Sequence, residues 1–234
     1  MSRGTQNTLV LLIGLSAVVM VIKGTYLHFV KPSLLPWLIA AAVVLIGLAV
    51  TSIVRDLRHA PYDDGDHRHR SWLVWLLLVP IALTTFVVPP PLGAHGATPE
   101  AVAATEPQRR AFPPLPAGRA PTVSIPDVVM RAAADSTNSL YRRSITITGF
   151  TLHYPEGTDL GRVVIVCCAA DAQLARIHLS GPAVAEAAGY PEDTWLQVEG
   201  TVVPGTSMAS TNFVPTIAVS RVTRIDKPAN TYAY

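Results

Sequence analysis

The sequence predicts an α-helical membrane region of three transmembrane helices, followed by a small all-β domain, an OB-like five-stranded barrel. Three observations lead there. Half of the 234 residues are hydrophobic and 15% are charged, against about 25% charged in a soluble domain. The apolar residues gather in long runs before residue 90. After about residue 126 they recur instead in short alternating segments separated by glycine and polar turns.

The membrane region is expected over residues 1–90. Its apolar runs cover about 8–30, 34–54 and 72–88, and a helix needs roughly 20 mostly apolar residues to cross the hydrocarbon core. The second run qualifies outright. Trp72 and Trp75 suit an interfacial anchor for the shorter third run. The first qualifies if Lys23 snorkels or the helix runs past it. It also has the basic start and apolar middle of a signal peptide, but no small-x-small cleavage site follows cleanly, so a retained helix is expected.

Charge sets the orientation. Residues 1–94 carry seven Lys/Arg against four Asp, and residues 95–234 carry eleven against twelve Asp/Glu. Arg3, Arg55, Arg58, Arg68 and Arg70 fall on the N-terminus and the second loop. The positive-inside rule puts those segments in the cytoplasm and the C-terminal domain outside. The expected location is a multi-pass position in the cell membrane, with the lipid bilayer as one partner. The net charge of +2, with no basic stripe interleaved with aromatics, argues against nucleic acid as another.

The loop between the second and third runs gathers Asp63, Asp64, Asp66, His67 and His69. Histidines and carboxylates in a cluster can bind a divalent ion. The competing reading is a solvated turn, and Arg68 and Arg70 would repel a cation. Residues 91–125 read as a Pro-rich linker: the stretch 89–126 holds ten of the twenty prolines, and such segments are extended and semi-rigid.

The exported domain is expected over 126–234. Pro126–Ala134 reads as a short helix capped by Ser124. Strands are expected over Ser144–Leu152, Val163–Cys168, Leu174–Leu179, Trp195–Val203 and Thr216–Ile225, with a helical patch at Pro182–Ala188. That order is the order of an OB-type barrel. Gly149, Gly161, Gly181 and Gly200 fall where such a barrel turns or bends.

Cys167 and Cys168 are the only cysteines. On a regular strand they point to opposite faces, one to the core and one outward. Three readings stay open: two small hydrophobes filling space; ligands of zinc or a soft metal together with Asp171 and His153 or His178; and thiol redox chemistry. Free thiols outside the cytosol are unusual enough to keep the last two in play. The chain has no Ser-His-Asp arrangement that can be placed, no phosphate-cradling glycine loop and no Cys-x-x-Cys, so an enzyme is not expected.

The stretches Ile147-Thr-Gly-Phe150, Arg162-Val-Val-Ile-Val-Cys-Cys-Ala-Ala-Asp-Ala172, Trp195-Leu-Gln-Val-Glu-Gly200 and Lys227-Pro-Ala-Asn-Thr-Tyr-Ala-Tyr234 resemble the YcgQ-like family of predicted permease subunits, bacterial membrane proteins of uncharacterised function. The Cys-Cys-x-x-Asp-Ala core is the most specific element. The resemblance covers about 90 residues of the C-terminal domain, and the helical part in layout only. It implies an accessory subunit of a multi-span permease in the same membrane, whose exported domain binds substrate or gates the partner. It also implies a His-rich loop before the third span, of which Asp63–His69 is a reduced version.

Overall fold

The structure, a computed structural model, describes residues 3–58, 91–93 and 108–234. The chain divides into two compact units, Met1–Pro90 and Pro91–Tyr234. The expected third span (72–88) and the Asp63–His69 loop lie outside the described residues.

Among the described residues, the first unit contains two packed helices, α1 (Arg3–Lys23) and α2 (Leu35–Arg58). The expectation that the first helix runs on to residue 30 is corrected. The helix stops at Lys23 because Gly24 takes a left-handed conformation at φ 71°, and short 3-10 turns at Thr25–His28 and Pro32–Leu34 lead into α2. Two stretches here, Gln6–Lys23 and Pro32–Arg55, are long and apolar enough to cross a membrane, and 11% of each is buried within the fold. The helices approach closely where their side chains are small. A Cβ on Gly14 would lie 2.7 Å from Ile46 Cγ1, and Leu9, Ala42 and Ala49 are buried. Close backbone approach at Gly and Ala is how helices gain van der Waals contact without a hydrophobic driving force. Trp37, Val43, Val44 and Leu48 face away from this seam and are exposed.

In the second unit, α3 (Ile125–Ala134) begins as the sequence predicts. Ser124 Oγ accepts from the Asp127 amide at 3.3 Å, and Pro126 occupies the first turn, where its missing N–H costs nothing. The strands are β1 (Ser144–Tyr154), β2 (Gly157–Val164), β3 (Gln173–Ser180), β4 (Trp195–Val202) and β5 (Thr216–Arg224), with α4 (Val184–Ala188) between β3 and β4. They close into a barrel in the order β1-β2-β3-β5-β4. All pairs are antiparallel except β3–β5.

One strand makes the corner. β1 pairs with β4 over Ser144–Phe150 and with β2 over Phe150–Tyr154. Gly149 sits at the change of partner, where any Cβ would collide with the Gly161 carbonyl oxygen and with Ile125 Cδ1. A strand can turn this tightly only where a side chain is missing.

The barrel interior holds Ile145, Ile147, Leu160, Ile177, Leu196, Val198, Ile217 and Val219, with Ile125, Val128 and Val129 of α3 packed onto them. A second cluster joins Phe150, Leu152, Val163, Ile165, Leu174, Trp195 and Tyr232. Phe150 and Trp195 meet edge to face at 5.7 Å.

Two expectations change here. The strand expected over Val163–Cys168 is instead Gly157–Val164, and both cysteines lie beyond its end. In addition, the Pro-rich residues 108–124 lie against the barrel where they are described. The Arg110 amide donates to Ala134 O, the Val123 amide donates to Thr146 O, and Val123 enters the core. Proline sets an extended path, and along it Arg110 pairs with the end of α3 while Pro121 and Val123 pair with Thr146 of β1.

Candidate metal centre

The thiols lie in the connection from β2 to β3. Val164 pairs with Gln173 across the base of this connection, and Ile165 is still buried. Val166 then turns outward, 63% exposed. From there three consecutive amides converge on one carboxylate. Asp171 Oδ1 accepts from Val166 N at 2.9 Å, and Oδ2 accepts from Cys167 N at 2.8 Å and Cys168 N at 3.3 Å. A 3-10 turn, Ala169–Asp171, brings the aspartate back, and the Asp171 amide donates to Cys168 O at 3.0 Å. The sequence permits this because Ala169 and Ala170 are small and the short Asp side chain reaches amides three to five residues upstream.

This geometry corrects the expectation of divergent thiols. Strand alternation does not apply, since neither cysteine is on a strand. Neither belongs to the core: Cys167 is exposed and Cys168 half-buried, and both are free thiols. One ligand atom each from Cys167, Cys168 and Asp171 lie within 4.8 Å of one another. A tetrahedral zinc ion, with Zn–S about 2.3 Å and Zn–O about 2.0–2.2 Å, sets its ligands about 3.5–3.8 Å apart.

The electrostatics of the cluster are those of crowded acids. Asp171 accepts a hydrogen bond from the Cys167 thiol and, with Cys168 beside it, pushes that thiol up to about 11. The same thiol, helped by the three amides, brings Asp171 down to about 2 despite partial desolvation. At neutral pH the site therefore holds one carboxylate and a Cys167 proton that only a strong competitor displaces. A cation is such a competitor, because it favours every deprotonated ligand at once.

The histidines considered as partners are elsewhere. His153 bonds Thr158 Oγ1 at 3.3 Å and the Tyr190 carbonyl at 2.9 Å. His178 Nδ1 lies 2.7 Å from Asp159 Oδ1, and Arg176 bonds the other oxygen of that buried carboxylate at 2.6 Å. Asp63, Asp64, Asp66, His67 and His69 lie outside the described residues.

Sequence reading missed Arg162 and Tyr232. Arg162 donates to Asn230 O at 2.8 Å and stacks over Trp195 at 5.1 Å, and burial lowers its pKa. Tyr232 is buried in the second cluster and accepts from the Leu92 amide at 2.9 Å. The available signal was that each falls in a stretch that carries the family resemblance.

No curated protein and no solved structure matches the chain. Residues 128–234, from within α3 to the C-terminus, match the model of the DUF1980 C-terminal domain, a match consistent with the YcgQ-like resemblance.

Proposed function

We propose that this chain is a membrane-anchored accessory subunit whose exported, OB-like barrel holds a thiophilic divalent cation between Cys167, Cys168 and Asp171. The observation that carries this reading is the convergence of two thiols and a carboxylate within 4.8 Å on a loop open to solvent. Two sulfurs with one oxygen suit zinc better than copper(I), which prefers sulfur alone. Three protein ligands leave a tetrahedral ion one open position, as in zinc sites that exchange a ligand rather than in closed structural ones. Such an ion can be passed on, and the resemblance supplies the recipient: a multi-span permease in the same membrane. The apolar pair α1 and α2 supports an anchor for this role.

The competing thiol-redox reading fits less well. Attack on a disulfide needs a thiolate, and the neighbouring carboxylate holds the Cys167 proton on.

The test is elemental analysis of the full chain purified in detergent. About one zinc per chain is expected in the wild type and none in Cys167→Ser/Cys168→Ser; equal content in the two would sink the proposal. Cross-linking in native membranes tests the partner separately. A multi-span protein captured through α1 or α2 supports the accessory role, and recovery of the chain alone counts against it.

A further inference from the structure

The thiol loop is tied at its base by the C-terminal residues. Ala233 lies parallel to β2 at Val164. Its amide donates to Val163 O at 2.8 Å, and its carbonyl accepts from Ile165 N at 3.1 Å. The first loop amide held by Asp171 belongs to the next residue, Val166. The tail is itself fastened at two points. Arg162 donates to Asn230 O at 2.8 Å and Tyr232 O at 3.4 Å, and the buried Tyr232 ring carries the hydroxyl that accepts from Leu92 N. Ile165 is fully buried and Val166 exposed, so a slip of one residue at this clamp would exchange them and move all three amides away from Asp171.

We propose that residues 230–233 are a strap that positions the Cys167–Cys168–Asp171 site, with Arg162 as its fastening residue; as a claim about metal affinity this rests on the reading given under Proposed function. Through Tyr232 the strap also joins the thiol loop to Leu92, near the start of the exported unit.

The test uses the full chain in detergent, with Ala233→Pro, which removes the amide donor to Val163 O, and a second version ending at Ala229. Amide exchange at Val166–Cys168 is compared with that of β4, and zinc affinity is measured alongside. The strap predicts exchange at Val166–Cys168 faster by about tenfold, the scale of one lost hydrogen bond, with the β4 amides unchanged and zinc bound about tenfold more weakly. Unchanged loop exchange in Ala233→Pro overturns the strap, whatever the shorter chain does. If the wild type binds no zinc while loop exchange responds, the metal reading falls and the strap stands as the organiser of the loop.

Discussion

Asp171 has two tasks that depend on its charge. It collects the amides of Val166, Cys167 and Cys168, and it accepts a hydrogen bond from the Cys167 thiol. Asp171→Asn keeps the shape and removes the charge, so the Cys167 thiol is expected to fall from about 11 toward the ordinary thiol range. The pH profile of alkylation checks this, with a midpoint displaced to lower pH in the variant. An unmoved profile would show that the carboxylate does not control the thiol. The same chemistry fixes the pH dependence of zinc binding. Each ligating thiol gives up a proton, so affinity is expected to rise about tenfold per pH unit per ligating thiol while that thiol is protonated in the free protein. In the other direction, the Asp171 carboxylate lies below its ordinary range at about 2. Its hold on the loop is complete above the usual carboxylate pKa and is lost as pH falls from there through about 2.

Among the elements, the strands and α3 were legible because their burial follows simple periods. Ser144–Tyr154 and Trp195–Val202 alternate or run apolar where the barrel needs it, and Ser124 with Pro126 announces α3. The end of β2 was not legible. Val166, Cys167 and Cys168 are as apolar as the strand before them, and their backbone is satisfied by an aspartate three to five residues downstream, which no period encodes. The linker misled for a related reason: proline reports an extended path but not whether that path is docked. Gly200 marks the irregularity in the β4–β5 register, and a Cβ there would strike the Ala218 carbonyl oxygen. Gly200→Ala is expected to destabilise the barrel by about 1–3 kcal/mol, read from denaturant unfolding, and a neutral result would contradict the close approach of β4 and β5 at this position. Asp135 follows α3 and accepts from the amides of Thr137 and Ser139 and from the Thr137 hydroxyl. Burial raises this carboxyl, but hydrogen bonds from Ser139 and Thr137 outweigh it and hold it well below the usual range. Asp135→Ala should cost about 1–3 kcal/mol. Because the folded pKa is depressed, that contribution is fully present above the ordinary carboxylate range and is lost as pH falls from that range through the depressed folded value.

For the whole molecule, the sequence made the division into an apolar helical part and a barrel plain, because lipid and water demand different compositions. The site was legible in its residue types and not in its geometry. Orientation is a separate claim, resting on the arginines of the N-terminus and the second loop and on the expected third span over 72–88. In Cys167→Ser/Cys168→Ser carrying Arg221→Cys at an exposed position of β5, a membrane-impermeant maleimide is expected to label the chain in intact cells. Labelling that appears only after lysis would place the barrel on the cytoplasmic side and remove it from the compartment the proposal requires. The most direct measurement of the central claim is a cobalt(II) titration of the full chain, since cobalt reports thiolate ligands to a single ion by a sulfur-to-metal charge-transfer band. The account predicts a saturating band at one equivalent, weakened to about half in Cys167→Ser and in Cys168→Ser and displaced by zinc. Absence of the band in the wild type, or full intensity in either single variant, would contradict it.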